Sequence, residues 1–218
     1  MKTQVYFCNM IQGIRHIIFD LGGVLLNIDY KRTEEAFIAS GITNFGHLYS
    51  QLKQSPLFDG WEMGKISRAE FIAKLQDIAP GKLTEEQIVK AWDAMLLDFP
   101  LRRLQLLQQL RLHYDLFLLS NTNEIHEVAF NKILMDSHSI PNIGVFFDKV
   151  YLSHHVGLRK PMPEIFEKVL NENSLEPAHT LFIDDSHQHI VTADKLGIQT
   201  IYLEKGMTIE NDIFKAKQ

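Results

Sequence analysis

Short, β-branched apolar runs that stop abruptly on a polar residue recur through this chain, and they restrict the fold more than any other feature. Ile14-Arg15-His16-Ile17-Ile18-Phe19 ends on Asp20, Asp115-Leu116-Phe117-Leu118-Leu119 on Ser120, and Thr180-Leu181-Phe182-Ile183 on Asp184. Runs of this length and branching predict buried strands rather than helices. Phe146 to Leu152 and Gln199 to Leu203 read as two further strands. Helical periodicities separate them: Arg102 to Leu112, a helix from Glu124, Met162 to Asn173, and His187 to Leu196 stopped by Gly197. Pro161 and Pro163 stand at the start of the third of these, where proline is tolerated. Strands alternating with helices require right-handed crossovers and a parallel sheet covered on both faces. The expected class is α/β, with a Rossmann-like parallel sheet as the core.

One zone breaks the alternation. From about Tyr30 to Pro100 the pattern is helical, with apolar residues at three- and four-residue spacing in Thr33 to Ala39 and Arg68 to Ile78. Ser67 with Glu70, and Thr84 with Gln87 ahead of Ile88, Val89, Ala91, Trp92 and Met95, have the spacing of capping boxes. The expected organisation is a core of residues 14–29 plus 101–218, with a small helical bundle of residues 30–100 inserted as a cap. Residues 1–13 form an N-terminal extension that runs into the first strand. With 218 residues, 45% of them hydrophobic, the chain can bury one substantial core with a modest insert. No apolar run has the length of a membrane span, and Met1 to Gly13 lacks the pattern of a signal peptide. The single Cys8 has no partner for a disulfide or a metal site. A reducing cytoplasm is the expected location. A net charge of −5 without a basic stripe argues against a nucleic-acid partner.

In open parallel sheets the ligand sits beyond the carboxyl ends of the strands. Asp20, Ser120 and the pair Asp184-Asp185 all follow strands directly, so three polar groups distant in sequence are expected to converge at one edge. Carboxylates, a hydroxyl and a lysine at one place suit phosphoryl transfer, which needs a nucleophile, a cation and donors for phosphate oxygens. Asp20 fits the nucleophile and Asp185, assisted by Asp184, fits a hard cation with oxygen ligands. Lys160 offsets the negative charge. Each unit-charge repulsion between a carboxylate and a phosphate costs about 4 kcal/mol at ~4 Å and an effective dielectric near ~20.

Four segments carry a family resemblance. They are Ile17-Ile18-Phe19-Asp20-Leu21-Gly22-Gly23-Val24-Leu25, Leu118-Leu119-Ser120-Asn121-Thr122-Asn123, Gly157-Leu158-Arg159-Lys160-Pro161 and Leu181-Phe182-Ile183-Asp184-Asp185. In order and spacing they resemble the motifs of the haloacid dehalogenase superfamily. Asp20-Leu21-Gly22-Gly23 with Asn27-Ile28-Asp29 is similar to bacterial sugar-phosphate phosphatases within it. The resemblance implies a magnesium-dependent phosphatase acting on a small phosphorylated metabolite through an aspartyl-phosphate on Asp20. It further implies that Asp20, the Gly22 carbonyl, Asp184 and Asp185 hold Mg2+. Ser120, the Asn121 amide and Lys160 would bind the phosphate, with Lys160 also bridging to the nucleophile.

Two positions depart from the family pattern. Most phosphatases of the superfamily carry an acid two residues after the nucleophile, where this chain has Gly22. General acid–base catalysis is worth about 10²–10⁴ in rate, so a good leaving group such as a sugar 1-phosphate, or a substitute among Asp29, His47 and Glu62, is expected. The second is His189, which is expected to orient Asp184 or a metal-bound water rather than bind metal itself. His154-His155 reads as a surface pair whose side chains diverge along a strand. Phe58 and Trp61 read as packing within the helical zone. Two other readings remain open: a metal-independent haloacid dehalogenase, and a phosphate-binding relative with weak catalysis.

Overall fold

The computed structural model describes residues 11–42, 45–47, 56–78 and 83–214. Cys8 and most of the N-terminal extension fall outside them. Strands β1 (His16–Phe19), β2 (Asp115–Ser120), β3 (Lys149–Leu152), β4 (Thr180–Asp184) and β5 (Gln199–Tyr202) form one sheet in the order β3-β2-β1-β4-β5. Every neighbouring pair is parallel. The chain builds outward from β1 to one edge and then returns to build the other, so β1 and β4 flank the point where strand order reverses. An aspartate, Asp20, directly follows β1, and another, Asp184, ends β4.

Alternation along the strands divides the core. Ile17, Phe19, Leu116, Leu118, Leu181 and Ile183 face one way, packing against Leu104 and Leu107 of α5 (Leu101–Leu110) and Phe130 and Leu134 of α6 (Glu124–His138). Ile18, Phe117, Leu119 and Phe182 face the other way, against α8 (Pro163–Glu172) and α9 (His187–Lys195). Burial on both faces is why these strands read as continuous apolar runs.

The remaining helices are α1 (Tyr30–Ala39), α2 (Pro56–Glu62), α3 (Arg68–Ile78), α4 (Glu85–Asp93) and the single turn α7 (Ser153–Val156). Helices α1 to α4 share a third apolar cluster containing Phe37, Trp61, Phe71, Ile88 and Trp92, which α6 joins through Ile125. Trp61 stacks on Phe71 at 4.5 Å between ring centroids, and Phe71 meets Trp92 edge-on at 4.9 Å. Thr84 and Gln87 form the reciprocal cap expected of them, and Ser67 and Glu70 exchange the same kind of bonds. The two connections between this layer and the sheet lie side by side. Asn27 and Asp29 donate to Asp98 and Met95, and Leu97 donates back to Asn27, each at 2.9 Å.

The third strand is shorter than its apolar pattern suggests, beginning at Lys149 because Ile143–Phe146 forms a 3-10 turn. Phe146 is buried all the same, so hydrophobicity alone did not separate turn from strand. Among the described residues no helix is long and apolar enough to cross a membrane.

One buried ion pair secures the loop that follows β1. Arg103 is buried in α5, bonds Glu210 at 3.1 Å, and donates to the Asn27 side chain at 3.0 Å. Removing one partner of a buried pair leaves an uncompensated charge. Glu210→Ala is therefore expected to destabilise the protein by about 3 kcal/mol in urea unfolding. A loss below about 0.5 kcal/mol would show that the pair contributes no more than a surface contact.

Candidate active site

The carboxyl ends of β1 and β4 place three aspartates around one lysine. Asp20 is the first residue beyond β1, fixed by its amide donating to the Ile183 carbonyl at 3.0 Å. Lys160 is 0% exposed, and its Nζ donates to Asp20 Oδ1 and to Asp184 Oδ2, both at 2.7 Å. The Phe182 ring lies 5.3 Å from the same nitrogen. Asp184 is equally inaccessible and fully engaged. Its Oδ1 accepts from the Ser186 amide at 2.7 Å, and His189 Nδ1 sits 3.0 Å from both oxygens. Asp20, Asp184 and Asp185 each offer an oxygen within 4.8 Å of the others.

The charge balance is uneven, with one ammonium facing three carboxyls. Burial alone would depress the Lys160 ammonium, but Asp184 and Asp20 outweigh it and hold its pKa above the ordinary lysine value. Burial opposes ionisation of Asp184, yet Lys160 and His189 win and hold it below the usual carboxylate range. Asp20 goes the other way, raised by burial and by Asp184 against the pull of Lys160. Burial, then the charges of Asp20 and Asp184, push Asp185 up to about 7. Asp20 and Asp185 are therefore the two carboxyls that resist ionisation, and a cation beside them would relieve that resistance. An oxygen-only donor set of this kind fits a hard divalent cation such as Mg2+.

Backbone geometry makes room for this cluster. Gly23 adopts φ +77°, and a β-carbon there would stand 2.1 Å from Asp185 Oδ2. Gly22 borders the site, where a β-carbon would meet Ile28 Cδ1 at 3.2 Å. Ser120, expected to bind phosphate, is buried at the end of β2. Asn121 makes contacts that its position in the sequence did not announce. Its Nδ2 donates to the Lys160 carbonyl at 2.8 Å and its Oδ1 accepts from the Lys160 amide at 2.9 Å. Both main-chain groups of the lysine are thereby fixed. Ser153 does the same for Thr122, its hydroxyl bonding the Thr122 amide and carbonyl at 2.9 and 3.0 Å.

Above the carboxylates lies a cavity of about 600 Å³. Asp20, Gly22, Asn121 and Asp185 form its floor, while Tyr30, Phe58, Glu62, Trp92 and Met95 reach it from the helical layer. Arg159, beside Lys160, points the opposite way, pairing with Asp59 and with Glu62 Oε2 at 2.9 Å on α2. His126 also lines the cavity, and burial drives its pKa down to about 4.

Of the acids considered in place of a side chain at Gly22, Glu62 reaches the cavity. Asp29 caps α1 through the Lys31 amide at 3.0 Å, and His47 is exposed; neither lines it. His189 orients Asp184 as expected. Phe58 packs in the helical cluster and also forms part of the cavity wall. His154 and His155 require a correction. They lie on the helical turn α7 rather than on a strand, and both side chains turn toward Glu127. Arg159 was within reach of sequence reasoning as the neighbour of Lys160. Tyr30 and His126 carried no such signal, because only tertiary docking brings them to the cavity.

Comparison with known proteins places this arrangement in a family. A haloacid dehalogenase-like hydrolase model matches residues 14–197, and the chain belongs to that family. Among its relatives is the D-ribitol-5-phosphate phosphatase of Bacteroides thetaiotaomicron, 34% identical over 193 residues that cover 88% of this chain and 93% of that one. A solved structure of a HAD-family enzyme from the same organism superposes with a TM-score of 0.84 at 35% identity, covering 92% of this chain and 97% of the other. That enzyme's wild-type complex with magnesium and inorganic phosphate gives 0.82 at 36% identity, over 88% and 96% of the two chains. A HAD-like hydrolase from Porphyromonas gingivalis gives 0.81 at 34% identity, over 92% and 94%.

Two outcomes test the cation site. Gly23→Ala puts a β-carbon into Asp185 and into a conformation costing about 1–2 kcal/mol. It is expected to weaken Mg2+ binding about tenfold or more by calorimetry, in a chain that still folds. Unchanged affinity would show that Asp185 is free to move aside. In addition, Asp185 must lose its proton to bind a cation, so Mg2+ affinity should rise with pH through about 7. Equal affinities at about pH 6 and about pH 8 would contradict that.

Proposed function

We propose that this chain is a magnesium-dependent phosphatase of small phosphorylated polyols or sugars, with Asp20 as the nucleophile. The observation that carries this reading is the pairing of Lys160 with Asp20 Oδ1 on a residue that also lines the cavity. Bound at Asp20, Asp185 and the Gly22 carbonyl, Mg2+ would neutralise charge on the phosphate and the attacking carboxylate. Asp184 supports the site by holding Lys160. The Ser120 hydroxyl and the Asn121 amide supply donors to the phosphate oxygens.

The reaction balances in two displacements. An Asp20 oxygen forms a bond to phosphorus as the bond to the substrate oxygen breaks, and that oxygen takes a proton from a solvent water, which the attacking water of the second step replaces. Water then attacks the aspartyl-phosphate, releasing inorganic phosphate and restoring Asp20. Lys160 keeps the Asp20 carboxylate oriented through both steps. Gly22 contributes no proton, and Glu62, held in its ion pair with Arg159, is better suited to accept hydrogen bonds from substrate hydroxyls. With Tyr30, Gln188 and Arg159 it gives the cavity hydroxyl-binding groups beside the apolar Phe58, Trp92 and Met95. The relative that acts on ribitol 5-phosphate supports a polyol phosphate as substrate.

The test is a panel of phosphorylated pentitols and sugars assayed with Mg2+, comparing the native chain with Asp20→Asn. Turnover should fall by at least about 10³-fold in the variant, as it does when a nucleophile acting within a unit is removed. Chelation should abolish turnover in the native chain. Activity retained within about tenfold by Asp20→Asn would overturn the assignment of the nucleophile. Turnover unaffected by chelation would instead favour metal-independent chemistry.

A further inference from the structure

The chain carries a second constellation of metal-binding side chains, away from the aspartates. His154 Nε2 lies 2.9 Å from Glu127 Oε2, and His155 Nε2 lies 3.0 Å from the same oxygen. The three ligand atoms fall within 4.8 Å of one another. The histidines are adjacent on α7, yet their rings lie against each other with centroids 4.1 Å apart, which turns both Nε2 atoms to one side. Glu127 comes from the first turn of α6, where Asn123 is the cap. Two elements separated by the whole of β3 thus present three donors to a single point.

We propose that Glu127, His154 and His155 form a binding site for a divalent transition-metal ion of the zinc class. Two imidazoles and one carboxylate are a common zinc donor set, with a fourth position left to water. Magnesium, which prefers oxygen, is disfavoured here, so the two clusters select different ions. Zinc bonds of about 2.0–2.2 Å place tetrahedral ligands about 3.3–3.6 Å apart, roughly 0.3–0.7 Å beyond the two nitrogen-to-oxygen spacings of 2.9 and 3.0 Å. Small side-chain rotations suffice to admit an ion. The burial pattern suits an open coordination sphere, with the His154 side chain 7% exposed and that of His155 60% exposed. His154 is also disposed to be the neutral ligand that metals require, because burial, with His155 nearby, holds its pKa below the ordinary histidine value. A bound ion would tie the start of α6, just beyond Asn121 and Asn123, to the turn that precedes Arg159 and Lys160.

The alternative is an arrangement with no ion, in which His154 and His155 each donate an Nε2–H to Glu127 and nothing more. Titration with Co2+ separates the two, since cobalt takes zinc-like positions and reports tetrahedral nitrogen coordination through its visible absorption. The full-length chain, kept in excess Mg2+, should bind one Co2+ with such a spectrum and show a raised melting temperature. His155→Ala and Glu127→Gln should each weaken binding at least about tenfold and abolish the thermal shift. His155→Ala changes a solvent-facing side chain, so its folding and its Mg2+-supported turnover should match the native chain. The proposal is overturned if both variants bind Co2+ as the native chain does, if Asp185→Asn rather than His155→Ala removes the spectrum, or if the native chain takes up no Co2+.

Discussion

The buried ammonium of Lys160 is the interaction on which the rest of this structure depends. It is the counter-charge shared by two carboxylates from neighbouring strands, Asp20 at the floor of the cavity and Asp184 buried beside it. Each of its bonds is 2.7 Å long, and each joins a strand end to the loop that carries the lysine. Desolvating three ionised groups is expensive, and good geometry with further hydrogen bonds is what offsets that cost. The structure supplies those further bonds. Asn121 fixes the lysine main chain, while Ser186 and His189 satisfy Asp184. Asp185 is left outside this network, and burial together with the charges of Asp20 and Asp184 pushes its carboxyl up to about 7.

That electrostatic arrangement needs the sheet beneath it. Strand order reverses between β1 and β4, which opens a crevice at their ends and brings residues 164 positions apart, Asp20 and Asp184, onto one lysine. The helical layer is joined to the sheet by a narrow paired ribbon and closes over the crevice. Arg159 and Lys160 express the division of labour in two adjacent residues. One charge turns inward to the carboxylates, and the other turns outward to Asp59 and Glu62 of α2. A cavity whose floor is ionic and whose far wall mixes hydroxyl-binding and apolar groups follows from that placement.

Much of this was legible in the sequence because it rests on local signals. Strands buried on both faces betray themselves as short apolar runs, and a polar residue ending such a run points to the sheet edge where ligands bind. Both capping boxes were readable for the same reason. What was not legible depends on docking between distant segments. The boundary of β3 was blurred because Phe146 is buried in a turn and looks like strand. Asn121 was recognisable as a motif residue, but its clamp on Lys160 exists because a loop 39 residues away passes beside it. A strand would separate His154 and His155, and a single helical turn brings them together instead. Tyr30 and His126 gave no sign of their places on the cavity wall.

The most direct test of the account is the pH dependence of stability in Lys160→Met, measured by denaturant unfolding in chelator-treated, metal-free buffer. Without the ammonium, Asp20 is buried beside Asp184 with no cation bonded to it and Asp184 keeps only His189, so both carboxyl pKa values rise above those of the unfolded chain. The folded variant then binds more protons than the unfolded one, so its stability falls as pH rises. The account predicts a deficit of about 3–5 kcal/mol relative to the native chain near neutral pH, shrinking toward about pH 5. A variant as stable as the native chain at neutral pH, with no change in slope, would show that the lysine is not what holds these carboxylates together.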